Sequence, residues 1–397
     1  MILHNDTKFK ETELGLIPED WEIDMLGNRA DVIMGQSPES KYYNKNQEGL
    51  YFMQGVRTFG EKYPIFDTWT TSATKTAPAE SVLMSVRAPV GDLNITPVEM
   101  CLGRGLAAIN AKNGNNEYIY QLLEAYRDKV LGQETGTVYG SISRDDIFNL
   151  ELPFAPKDEQ QKIAEVLGTL DEKIELNHKM NKTLESLAQA IFKKWFIENA
   201  DPDWETKKLK DICEIKNGFA FKSGDYSKEG IFLLRTSNFN SEGYAVKNDP
   251  IFLPNNFYQT FSNYRLKRFD ILLVMVGASV GKRSFVFSNI LPALQNQNMW
   301  NFRAYDQKNQ FFLKFMIDQI VESNIGSASG SARDFFRKDY FREIEFNLPN
   351  QNLLDKFYER LLPQFEMIDK NIKEIDTLSQ IRDSLLPRLM SGKLRVT

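Results

Sequence analysis

The sequence predicts an α+β protein made of one unit repeated: two similar globular α+β domains separated by two long antiparallel coiled-coil helices, related by an internal pseudo-two-fold axis. Three observations predict this fold class. The stretch from Glu159 to Glu198 carries apolar residues at Ile163, Leu167, Leu170, Ile174, Leu184, Ala188, Ile191 and Trp195, in steps of four and three. That is a heptad seam, and about 40 helical residues make a rod roughly 60 Å long. A second stripe near the chain end contains Phe365, Ile368, Ile372, Ile375, Leu378, Ile381 and Leu385, and an offset of 194 residues lays Ile174 on Ile368, Asn177 on Asn371 and Leu184 on Leu378. The third observation is that the segments before each rod also correspond, so the whole unit repeats.

Taken in order, Trp21 in PEDWEI matches Trp204 in PDWETK, and Gly35 in GQSPESKYY matches Gly218 in NGFAFKSGDY. SVLMSVRAPVGDLNI from Ser81 aligns with ILLVMVGASVGKRSF from Ile271, each reading as strand, Gly turn and strand. A helix is expected over Glu117 to Val130 and over Gln310 to Glu322. Each copy continues through a loop of small residues to a strand ending in Leu-Pro, at Pro153 and at Pro349. The domains are bounded at 1–157, 158–199 for the first rod, 200–350, and 351–397 for the second rod. Because domain one feeds rod one, rod one feeds domain two and domain two feeds rod two, paired rods must run antiparallel. Pro363 is expected to kink the second rod. Asn177 and Asn371, near the rod centres, either fix the register from inside the seam or face solvent.

The chain has 397 residues, 42% hydrophobic and 26% charged, with no membrane-length apolar run and no signal-peptide core at its start, which points to the cytoplasm. Two cysteines and two histidines leave no Cys/His metal cluster, so no metal site is expected. GASVGK has three residues between its glycines where a P-loop needs four, and Arg283 where it needs Ser or Thr. No motif for amino-group methylation or for S-adenosylmethionine is present, and no nucleophile has a histidine beside it, so no catalytic residues are assigned. The net charge of −5 places any DNA-binding surface in local patches.

The polar loops supply side chains suited to base edges and phosphates: Gln36, Ser37, Gln54, Arg57, Arg87, Arg104, Lys222, Ser223, Arg235, Asn238, Lys282, Arg283, Gln297, Arg333 and Lys338. Each is also an ordinary surface residue type.

IPEDWE, GQSPESKYY, SVRAPVGDLNI, CLGRGLAAI, GTVYGSIS and DEQQKIAEVLGTLDEKIELN, with NGFAFKS, LLRTSNF, GASVGK, FNLP and LLPRLMSGKLRV in the second half, together resemble the specificity subunit of type I restriction-modification systems. The resemblance covers nearly the whole chain and lies in the order of the motifs, met twice. It implies two target-recognition domains, each taking half of a bipartite double-stranded DNA target, and helices that bind two methyltransferase subunits. Restriction subunits carrying translocase and nuclease would join them. S-adenosylmethionine and ATP are then expected on the partner subunits, with no cofactor in this chain. A specificity module of another multi-subunit methyltransferase-nuclease system, a self-contained restriction enzyme and a coiled-coil adaptor are the alternatives. The second copy departs from the first by carrying QNQNMWNF where the first has Gly-Arg-Gly.

Overall fold

A computed structural model describes residues 7–132, 140–277, 279–325 and 337–396. The chain divides into two compact units, residues 1–176 with 377–397, and residues 177–376.

In the first unit a four-stranded antiparallel sheet has the order Leu93–Ile95, Val82–Ser85, Leu106–Ala111, Ala30–Met34. The second unit repeats that order with Arg283–Phe285, Ile271–Val274, Met299–Ala304 and Cys213–Asn217. Registers match as well: Ile109 opposes Val82 as Phe302 opposes Ile271. The tight turns of the Ser81 and Ile271 hairpins hold Gly91 and Gly281 at φ +80° and +85°, where a side chain would be strained. A second sheet in each unit contains a parallel pair, Leu50–Met53 with Met100–Leu102 and Ile231–Leu234 with Ala293–Gln295. A short antiparallel pair closes each domain where the chain enters and leaves it: Glu22–Met25 with Glu151–Phe154, and Glu205–Lys208 with Glu345–Leu348.

The expected helix over 117–130 is two, Asn116–Ala125 and Arg127–Leu131, and its counterpart is Gln310–Ile325. The Asn115 side chain accepts from the Tyr118 N–H and caps the first.

The long helices are Lys157–Lys193, ending in a π-helical turn Lys194–Glu198, and Gln351–Met390. The second helix runs on through Pro363 without a break; the proline is exposed, and the helix is held on its other side by Leu361 and Phe365, both fully buried. Within each unit the two helices run antiparallel. In the first unit Arg382 Nη1 donates to Asp171 at 3.1 Å and Arg395 pairs with Glu159 at 2.6 Å. In the second, Asn177 donates to Glu374 at 3.0 Å and Asn371 to Asn181 at 2.8 Å. Asn177, Asn181 and Asn371 are all buried, so they lie inside the seam. A register slip would leave these amides unpaired in the interior at a cost of about 1–3 kcal/mol each.

The seam residues pack against their own domains as much as against the opposite helix. Ile163 and Leu167 share a core with Tyr118, Leu122 and Leu389. Phe365, Ile368 and Ile372 share one with Phe192, Phe269 and Phe311, and Leu184 and Ile191 pack at its edge. Ile174 is buried, Leu385 packs on the first unit's core, and Leu170 and Ile375 are half-buried. Ile381, a position of the second apolar stripe, lies at the surface and is 41% exposed. The alternating four and three steps located the stripe but could not say that it also packs on residues of the globular domains.

One polar cluster fixes the first domain to its helices. Lys62, only 2% exposed, places Nζ 2.9 Å from Glu117 and 3.6 Å from Asp171, while its backbone N–H donates to Glu175 at 3.2 Å. Gln121 donates to the same Asp171 at 2.6 Å. Burial pulls the Lys62 ammonium downward, but Glu117 and Asp171 outweigh it and hold the group above the ordinary lysine range. The second unit has an analogous contact, in which buried Asp369 of the long helix accepts from the Ser288 backbone N–H at 2.8 Å and pairs with Arg268 at 3.0 Å.

Candidate nucleic-acid interface

In the first unit four strand ends and one turn are tied together by backbone hydrogen bonds. The Gly35 N–H donates to Leu106 O and Gln36 to Leu102 O, both at 2.9 Å; Gly103 donates to Met53 O at 2.7 Å and Gly105 to Gln54 O at 3.1 Å. Val86 donates to Gly105 O at 2.9 Å, and Arg87 bridges to Ser141. Such close approach requires glycine. A Cβ on Gly35 would lie 2.1 Å from Gly103 O, and one on Gly105 would lie 2.4 Å from Gln54 O. Gln36, Ser37, Gln54, Arg87 and Arg104 therefore emerge from one knot, with the Ser37 hydroxyl accepting from the Arg104 N–H at 3.1 Å. All but Ser37 are exposed.

The second unit builds the same knot without Gly-Arg-Gly. Phe219 N–H donates to Gln295 O and Asn296 to Leu234 O, both at 3.1 Å, and Met275 donates to Asn298 O at 3.2 Å. A Cβ on Gly218 would lie 1.9 Å from Asn296 O. These bonds place Phe219 over Gln36, Arg235 over Gln54, Val276 over Arg87 and Gln297 over Arg104. The glycines are replaced by side-chain bracing: Gln295 is buried and its Nε2 donates to Met299 O at 2.8 Å. The two loops are thus structurally equivalent despite their different sequences.

The remaining sequence-selected residues fall elsewhere or are already engaged. Asn238 is fully buried and donates to Asn248 O at 2.7 Å while accepting from the Arg235 N–H at 3.0 Å, so it positions the Arg235 loop and is removed from the base-contacting set. Arg283 faces the Gln310–Ile325 helix, 3.3 Å from Asp318 and 3.2 Å from Glu322, which neutralises it there. Lys282 donates to Phe239 O. Arg57 pairs with Asp67 at 2.7 Å on the surface. Lys222 and Ser223 are exposed at a short turn, and Lys338 opens a short helix, where burial pulls its ammonium downward. Arg333 lies outside the described residues.

Sequence reasoning missed Phe219, whose ring lies 4.7 Å from Phe261 and 5.3 Å from Tyr264. The aromatic density of NGFAFK was the available signal.

A cavity of about 360 Å³ in the second unit is lined by Glu185, Arg283, Lys314, Asp318 and Glu322. Its cations are matched by its own acids, Lys314 to Asp318 at 2.9 Å among them. Burial pushes the Cys213 thiol up to about 12, so it stays protonated at neutral pH and is a poor nucleophile. Among the described residues no group of three or more His, Cys, Asp or Glu is placed to hold a metal ion, and no helix is long and apolar enough to cross a membrane.

Comparison with known proteins adds a family to this geometry. The family described as type I restriction modification DNA specificity domain matches residues 18–186 and again 202–375. The type I restriction enzyme MjaIX specificity subunit of Methanocaldococcus jannaschii is 27% identical over 98% of this chain and 97% of its own length. A second relative from the same archaeon, bearing the name MjaX, is 40% identical over 46% of this chain, and the match spans 44% of that relative. The crystal structure of a type I restriction-modification system S subunit from M. genitalium superposes with a TM-score of 0.62 at 17% identity, covering 98% of both chains, which shows the shared fold.

Proposed function

The chain belongs to the type I restriction-modification DNA specificity family, and from that premise we propose that it is the DNA sequence-specificity subunit of a type I complex. Each unit's knot reads one half of a bipartite double-stranded target, and the long helices hold two methyltransferase subunits at a fixed spacing. The observation that carries this reading is the knot itself, built twice on one sheet topology from different loop sequences, with exposed Gln54 and Arg104 in the first and half-buried Arg235 and Gln297 in the second. Keeping the scaffold while varying the side chains is what two heads that read different sequences need. The chain performs no chemistry of its own. S-adenosylmethionine and ATP act on the methyltransferase and on the restriction and translocase subunits, and the complex works on DNA in the cytoplasm. Mapping methylated bases genome-wide with and without the gene tests this. Methylation at one bipartite sequence should vanish with the gene, and an unchanged methylation pattern would overturn the assignment.

The helices also carry the means to hold partners. Met180 and Leu187, seven residues apart on one face of the first long helix, are 38% and 45% exposed, and Met367 on the second is 43% exposed. Apolar side chains in such a row mark a protein contact. Replacing Met180 and Leu187 together by Glu should dissolve the two-to-one methyltransferase complex on size-exclusion chromatography. The fold should survive, because exposed positions contribute little to stability. An intact complex would show that partners bind elsewhere.

A further inference from the structure

The two knots hold the same pair of residue types at exchanged places. Where the first unit has Gln54 and Arg104, the second has Arg235 and Gln297, and the backbone bonds that set the equivalence are the same: Gly103 to Met53 O and Asn296 to Leu234 O on one side, Val86 to Gly105 O and Met275 to Asn298 O on the other. Resting on the assignment of the knots as the DNA-reading surfaces, we infer that these four side chains read bases, and that the exchange inverts the order of a guanine and an adenine between the two half-sites.

The chemistry is specific to these types. A guanidinium donates two parallel hydrogen bonds to guanine O6 and N7, whereas a carboxamide donates to adenine N7 and accepts from its N6 amino group. A surface that only clamped phosphate would favour a cation at both places, since a Gln amide can donate to a phosphate oxygen but neutralises none of its charge. At these two places each knot carries one Arg and one Gln in exchanged order, whereas Gln36 and Arg87 of the first knot give way to Phe219 and Val276 in the second. The Arg235 side chain is half-buried, and its Nη2 donates to Asp249 O at 2.8 Å, which restrains the guanidinium beside the knot. Gln54 and Arg104 are exposed, with Gly55 after the first and Gly103 and Gly105 on either side of the second, whereas Gln297 is half-buried and its Oε1 has no hydrogen-bond partner among the described residues.

With each half-site written in the direction in which its own domain reads it, one position is adenine in the first half and guanine in the second, and another position is the reverse. The experiment is methylation mapping of the full chain with its methyltransferase partner, using single variants. Arg104→Ala should relax discrimination at one G·C pair by roughly 10- to 100-fold and leave the other half-site untouched; Gln54→Ala should do the same at one A·T pair. Arg235→Ala and Gln297→Ala should mirror them in the second half. Arg104→Lys keeps the charge and loses the fork, so it should relax the same position as Arg104→Ala. The double exchange Gln54→Arg with Arg104→Gln should swap the guanine and adenine in that half alone. A uniform drop in methylation with an unchanged consensus, or full rescue by Lys, would overturn base reading in favour of phosphate contact. A consensus that changes without the inverted order would overturn the exchange while the knots stand. A variant with all four residues replaced by Ala that methylates the same sequence as efficiently would overturn the knots as the reading surfaces.

Discussion

Inserting four residues beside Asn177 in the first long helix is expected to lengthen the unread spacer of the methylated target by about one or two base pairs and to leave both half-site sequences unchanged. Four helical residues add roughly 6 Å, and a base pair occupies about 3.4 Å. Four residues also turn the helix by about one full turn, so the apolar face returns nearly to its place. The Asn177–Glu374 and Asn181–Asn371 pairs, whose asparagines are buried, resist the shift, because one of them must find a new partner or remain unpaired inside the seam. Local unwinding of the heptad therefore absorbs part of the added length. A spacer that stays fixed while half-site bases change would contradict the helices as the element that sets the spacing.

Lys62→Ala is expected to destabilise the first unit by up to about 3–5 kcal/mol, because it removes the cation shared by Glu117 and Asp171 and leaves buried Asp171 with Arg382 as its one remaining cationic partner among the described residues. Urea unfolding of the purified complex, followed by hydrogen exchange in the first unit, measures the loss. Lys308→Ala serves as the control, since its partner Asp355 lies 2.9 Å away but the pair is exposed, and no change is expected. The sign with pH follows from the raised lysine. Its contribution is complete below the unfolded value of about 10.4 and is lost as pH rises through the higher folded value. A variant as stable as the parent would mean that Gln121 and Arg382 suffice to satisfy Asp171.

The long helices and the repeat were legible in the sequence because each leaves a periodic trace: apolar steps of four and three in the rods, and paired Trp, Gly and Leu-Pro landmarks in the domains. The hairpins at Ser81 and Ile271 were legible for the same reason, a local turn between two apolar runs. The second sheet was not. Its parallel pairs join Leu50–Met53 to Met100–Leu102 and Ile231–Leu234 to Ala293–Gln295, and nothing local to either strand names its partner. The knots were visible as a set of polar loops but not as an assembly. Gly103 and Gly105 hinted at close approach in one copy, yet Asn296 and Asn298 reach the same backbone geometry beside the braced side chain of Gln295. Asn238 looked like a base reader because a polar residue in a polar loop gives no sign that its amide caps the turn before it. Lys62 went unnoticed because a lysine in a sequence reads as surface, and only the fold brings Glu117 and Asp171 to it from two different helices.

The most direct test of the account is to replace residues 201–350 with the corresponding domain of a relative and to map the bases methylated by the chimaera with the native methyltransferase partner. Two independent reading domains on one helical scaffold predict that one half-site takes on a new sequence while the other half-site and the spacer are retained. A chimaera that alters both half-sites, or neither, would contradict it.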